Sequence, residues 1–79
     1  MKKALIIGIS GFVGGYLAQE LMDNGIEVYG VDIHKGKLND NIKFMQINLI
    51  NQESIISALT DIRPDYIINL TAKIGRAHV

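Results

Sequence analysis

The apolar residues of this chain fall in short runs separated by polar, glycine-rich punctuation. Lys3 to Ile7 ends in a continuous apolar run with no alternation, which predicts a strand buried on both faces, as in a parallel sheet. From Phe12 to Asn24 the apolar positions Val13, Tyr16, Leu17 and Leu21 recur at helical spacing, which predicts a helix with that face turned inward. Asn24-Gly25 reads as the helix stop, with Gly25 free to take a positive φ. Ile26 to Val31, rich in Ile, Val and Tyr, predicts a second strand. His34 to Asn41 reads as loop, and Ile42 to Ile47 as a third strand. Asn51 is placed to cap a helix over Gln52 to Ile62, whose inward face is predicted to be Ile55, Ile56, Leu59 and Ile62. Pro64 ends that helix and is expected to push Arg63 into an extended shape. Tyr66 to Leu70, "YIINL", predicts a fourth strand.

Strands alternating with helices argue for a parallel sheet covered by helices. The link between the second and third strands is short for a helical crossover and is expected to be mostly loop. Right-handed crossovers then give the strand order 3-2-1-4, with helices on both faces. The expected fold class is therefore α/β, the N-terminal half of a doubly wound parallel sheet. No internal repeat or low-complexity tract interrupts it.

Composition narrows the function. With 79 residues the chain is one small domain, and 48% hydrophobic content is ample for a core. Eight basic and eight acidic residues give a formal charge of +0, so no basic excess points to nucleic acid. Cysteine is absent, which rules out disulfides and thiolate metal sites and is compatible with a reducing, cytoplasmic location. The start, "MKKALIIGISGFVGG", has the lysines of a signal peptide. Its apolar run stops at Ile9, too short for a leader's core, and no run in the chain is long enough to cross a membrane.

Chemistry concentrates in the first turn. Gly8, Gly11 and Gly14 form G-x-x-G-x-x-G between the first strand and the first helix. The first glycine permits the tight turn, the second lets the backbone approach a pyrophosphate, and the third lets the helix pack closely on the sheet. The first amides of the helix, at Phe12 and Val13, and the helix dipole then face the anion, and Ser10 adds a hydroxyl. The same pattern also fits a glycine-rich turn without a ligand. No lysine follows as in a triphosphate-binding loop. Asp32 ends the second strand, where a carboxylate accepts both hydroxyls of an adenosine ribose and repels a 2′-phosphate. This favours NAD over NADP. An ordinary strand-end aspartate is the alternative, and Lys35 and Lys37 lie close enough in sequence to offset a 2′-phosphate, so NADP stays open. His34 is expected to be exposed, Tyr16 to pack on the helix face, and Glu20, Asp23 and Glu27 to be solvated charges. Nothing supplies a convincing acid, base or nucleophile, and no metal-ligand spacing occurs.

Four segments carry a family resemblance. "GISGFVG" at 8–14 is similar to the G-x-x-G-F-[IV]-G turn of the extended short-chain dehydrogenases/reductases, which include NAD-dependent epimerases and dehydratases of nucleotide sugars. "VYGVD" at 28–32 resembles their second strand with its ribose-binding acid, continued by Ile33. "INL" at 47–49 resembles the D-L step after the third strand, whose aspartate meets the adenine amino group and whose leucine packs on the ring. Asn48 stands in the aspartate's place here, with an amide oxygen that can still accept, and Leu49 follows. "RPDYIINLTA" at 63–72 resembles the K-P-D-x-V-[IF]-[HN]-L-A-A segment. The resemblance places Leu70, Thr71 and Ala72 along the cofactor, with Thr71 where alanine is usual. The threonine common before the first glycine is Ile7 in this chain. Within the family the chain looks most like the GDP-mannose 4,6-dehydratase and GDP-4-keto-6-deoxymannose reductase branch.

The resemblance implies a Rossmann domain that binds the ADP half of the cofactor, in a homodimeric parent enzyme acting on a nucleotide sugar. It also implies a catalytic Tyr-x-x-x-Lys pair well beyond the fourth strand. No such pair occurs here: four positions after Tyr16, Tyr29 and Tyr66 stand Glu20, Ile33 and Leu70. The chain by itself is therefore expected to be inactive. A non-catalytic NAD(P)-binding regulator using the same fold is the alternative. Residues 1–73 are read as the partial domain. "IGRAHV" at 74–79 is polar and aperiodic and matches the translation of a common sequencing-library adapter, so 74–79 is expected to be a non-native tail.

Overall fold

β1 (Lys3–Ile7) carries four consecutive buried residues, Ala4 to Ile7, and such a strand needs cover on both faces. The computed structural model, which describes residues 1–71, supplies it. The remaining elements follow as α1 (Phe12–Asp23), β2 (Glu27–Asp32), β3 (Lys43–Gln46), α2 (Gln52–Ile62) and β4 (Tyr66–Asn69). All pairings are parallel and the strand order is β3-β2-β1-β4, as expected. In register, Ala4 sits between Val28 and Tyr66, and Ile6 between Gly30 and Ile68. Ala72 and the segment 74–79 expected to be a non-native tail lie outside the described residues.

The period of two along β1 sorts its side chains between two cores. Leu5 and Ile7 meet Val31 and the Ala58 and Ile62 of α2, with Tyr29, Met45, Ile55 and Leu59 around them. Ile6 meets Val28, Ile9, Ile42 and the Ala18 of α1, with Leu17, Leu21, Phe44 and Ile68 around them. The helices therefore cover opposite faces of one sheet. Each fully buried Leu or Ile contributes roughly 1.5–3 kcal/mol. Because β1 places Leu5 and Ile6 back to back at 0% exposure, it is the strand both layers share.

Each helix keeps part of the face its large apolar residues predict, Leu17 and Leu21 in α1 and Ile55, Leu59 and Ile62 in α2, but the closest packing falls to smaller residues. In α1 the inward stripe is Gly14 and Ala18, with Leu17, Leu21 and Met22 half-buried, while Val13 and Tyr16 are exposed. Tyr16 therefore does not pack on the sheet. Small residues allow that packing: only a helix presenting glycine and alanine can come this close to the backbone beneath it. In α2 the stripe is Ala58 and Ile62, with Ile55 and Leu59 beside it, and Ile56 is exposed.

The ends of the helices follow from their residues. Asn51 caps α2, its side-chain oxygen accepting from the Ser54 amide at 3.2 Å. Gly25 takes φ +79 after α1, as its sequence position requires. Arg63 is not extended. It adopts φ 53, ψ 60, and its amide donates to the Leu59 carbonyl at 2.9 Å. Pro64 closes the right-handed helical region to Arg63, and the short return from α2 to β4 then selects the left-handed one. The segment between β2 and β3 holds neither helix nor strand, as expected. Glu27 is more than a solvated charge. It pairs with Lys43 across β2 and β3 at 2.8 Å, and the Lys43 ammonium holds its carboxyl below the ordinary value.

Candidate functional site

The chain leaves β1 at Gly8, with φ +82. A Cβ there would also stand 3.3 Å from the Leu70 carbonyl carbon and the Thr71 nitrogen, so both backbone shape and space require glycine. The Gly8 amide donates to the Val31 carbonyl at 2.9 Å, and the Leu70 amide donates to the Ile7 carbonyl at 2.8 Å. The turn is thus stitched to both strands that flank β1.

Ile9 anchors the turn from below and is 0% exposed. Two glycines make room for it. A Cβ on Gly14 would collide with the Ile9 backbone carbonyl, and a Cβ on Gly30 would lie 2.5 Å from Ile9 Cδ1. Gly14 therefore does what its motif position implies, bringing α1 down onto the turn. Gly30 was not evident from the motif; a lone glycine inside a β-rich strand was the signal for it. Gly11 differs from both. It caps α1 at an ordinary φ of −75, and nothing lies within 4 Å of where its Cβ would be. The fold does not need glycine there, and the space over it is open.

Above the turn lies a groove of about 660 Å³, lined by Gly8, Ser10, Gly11, Asp32, Ile33, Asn48, Leu49, Ile50, Leu70 and Thr71. It sits at the C-terminal ends of the strands, where β2 and β4 leave β1 in opposite directions. Crevices of this kind hold ligands in open α/β sheets. Nine of the expected positions meet here. Ile50, 86% exposed at the rim, is an addition that the sequence did not single out. Phe12 and Val13 are not in the lining. Their side chains are exposed, and what they bring is backbone at the start of α1. That helix has no side-chain cap and no acid in its first turn, whereas α2 has both. The first amides of α1 are left to face an anion. Ala72 lies outside the described residues.

Asp32 is the fixed charge of the groove. Its Oδ2 accepts from the Ser10 amide at 3.0 Å and the Ser10 hydroxyl at 2.7 Å, and its Oδ1 accepts from the Ile33 amide at 2.7 Å. Partial burial pushes the carboxyl up, but these hydrogen bonds and the nearby His34 outweigh it, so the group is held below its ordinary value. Lys35 pairs with Asp40 at 3.1 Å. Asn48 Oδ1 accepts from the Ile50 amide at 3.0 Å, and Asn69 Oδ1 accepts from the Thr71 amide and hydroxyl at 3.0 and 2.7 Å. These two asparagines shape the loops after β3 and β4.

Backbone donors beside an open glycine, a carboxylate fixed at a strand end and the apolar Ile33, Leu49 and Ile50 fit the pyrophosphate, ribose and adenine of a dinucleotide's ADP half. Among the described residues no group of acidic or histidine side chains can hold a metal ion, and no helix is long and apolar enough to cross a membrane.

Comparison with known proteins agrees with this geometry. The profile of the NAD dependent epimerase/dehydratase family matches residues 4–79. The chain is 38% identical over 58 residues to the decarboxylating sterol-4-alpha-carboxylate 3-dehydrogenase of Mus musculus, covering 73% of this chain and 16% of that protein. It is 34% identical over 88 residues to GDP-mannose 4,6-dehydratase of Yersinia enterocolitica, covering 92% and 24%. Among solved structures, WbmH of Bordetella bronchiseptica in complex with NAD+ superposes with a TM-score of 0.79 at 26% identity, covering 96% of this chain and 27% of that one. The chain thus spans between 16% and 27% of the length of these proteins.

Proposed function

The chain belongs to the NAD dependent epimerase/dehydratase family, and on that premise we propose that it is the N-terminal cofactor-binding part of an NAD-dependent enzyme acting on a nucleotide sugar. One observation carries the reading: a single groove joins the open backbone at Gly11 to the fixed carboxylate of Asp32. The Gly8–Gly14 turn and the first amides of α1 hold the pyrophosphate, and Asp32 receives the adenosine ribose. Ile33, Asn48, Leu49 and Ile50 surround the adenine, Leu70 and Thr71 lie on the β4 side of the cofactor, and the family resemblance assigns Ala72 to the cofactor as well. When bound, the nicotinamide supplies hydride exchange, a redox chemistry that no side chain here provides. A nucleotide-sugar substrate is favoured by the GDP-mannose 4,6-dehydratase relative, and the parent is read as a cytoplasmic homodimer. The chain alone carries no Tyr-x-x-x-Lys pair and is inactive on this reading.

Calorimetric titration of the parent protein with NAD tests the assignment. Asp32→Ala is expected to weaken NAD binding by about tenfold to a hundredfold, the range for losing hydrogen bonds to a charged group. Absence of any NAD binding by the unaltered parent would sink the reading. A parent that binds NAD yet contains no Tyr-x-x-x-Lys pair would favour the non-catalytic regulator.

A further inference from the structure

The Asp32 carboxylate offers about four lone-pair directions on its two oxygens. Among the described residues three are taken, by the Ser10 amide, the Ser10 hydroxyl and the Ile33 amide. One is left. A ribose, however, presents two neighbouring hydroxyls, each of which must donate. The Ser10 hydroxyl resolves this mismatch. Its single proton is committed to Asp32 through a short charge-assisted bond of 2.7 Å, so towards any ligand Ser10 Oγ presents lone pairs only.

We propose that Ser10 is a specificity-determining residue: its Oγ and the free direction of Asp32 form a two-atom acceptor for the vicinal diol of an unphosphorylated adenosine ribose. Both residues line the same groove. One hydroxyl donates to Asp32 and the other to Ser10. A 2′-phosphate has acceptors only and meets two acceptors and a negative charge. Asp32 cannot turn aside to admit it, because amides and a hydroxyl pin it on both oxygens. The inference rests on the cofactor reading above and adds to it a role for Ser10 apart from any contact with the pyrophosphate.

Ser10→Ala removes one acceptor and one pin of Asp32. The test measures dissociation constants for NAD and NADP in the parent protein, with Ser10→Ala and Ser10→Thr beside the unaltered chain. Ser10→Ala is expected to lose about threefold to tenfold in NAD affinity, near the effect of one hydrogen bond between neutral groups, with little change for NADP, so the preference for NAD falls by about that factor. Ser10→Thr keeps the hydroxyl and should keep the preference. An equal loss for both cofactors in Ser10→Ala would reduce Ser10 to a structural role and overturn the proposal. So would an unchanged preference, or a preference lost in Ser10→Thr as well. Failure of the unaltered protein to bind either cofactor overturns the cofactor reading itself, and is distinguishable from these outcomes.

Discussion

Ile9 explains two of the glycines around it, and nearby Gly11 is explained by nothing among the described residues. That contrast separates folding from binding, residue by residue. Alanine at Gly14 gains helix propensity, ordinarily about 1 kcal/mol, but its Cβ meets the Ile9 carbonyl. The collision wins because the atom in the way is backbone: Gly14→Ala is expected to cost about 1–3 kcal/mol in a urea melt. Gly11→Ala should cost less than about 1 kcal/mol, since its φ is ordinary, the space is free and the stiffer unfolded chain offsets a poorer cap, yet weaken NAD in titration. Equal melts for the two variants would contradict this division. The turn glycines and Asp32 were legible in the sequence because their spacing is a motif. Ile9, Gly30 and Ile50 were not: spacing reports which residue types recur, but not which side chain needs the room another leaves free.

Each helix binds to the fold through its ends and one stripe. For α2 the start is fixed by Asn51, and Asn51→Ala is expected to lower stability by about 1 kcal/mol, read as a lower midpoint with an unchanged denaturant slope. No shift in midpoint would show that the Ser54 amide finds another partner. The bounds of β1 and α2 follow from the sequence, because caps, glycines and Pro64 are local signals. The facing of the helices follows only in part, with Leu17, Leu21, Ile55, Leu59 and Ile62 turned inward as expected. Gly14 and Ala18 in α1 and Ala58 in α2 do the closest packing, while Val13, Tyr16 and Ile56 stay exposed. Periodicity weights a residue by its apolar bulk, and close approach weights it by its smallness. Arg63 escaped for a related reason: a proline rule excludes one backbone region but does not choose between the other two.

Across the whole molecule, the order β3-β2-β1-β4 places the first strand between its nearest and its most distant partners. Val28 pairs with Ala4 after one helix, whereas Tyr66 reaches Ala4 only after the other five described elements have been made. Contacts that are local in sequence form first on average, because they close shorter loops. Pulse-labelled hydrogen exchange during refolding is therefore expected to protect the Gly8 amide, bonded to Val31, before the Leu70 amide, bonded to Ile7. Protection of Leu70 first would reverse the order.

The pairing of β1 with both strands thus sets a schedule as well as a shape. On a growing polypeptide, the Gly8–Gly14 turn and the groove's carboxylate have both been made once Asp32 is added. The far wall of the same groove waits for Leu70 and Thr71. On the proposed function, synthesis thus supplies the residues of a phosphate perch first, and β4 adds the wall that completes a berth for the ADP half of the cofactor.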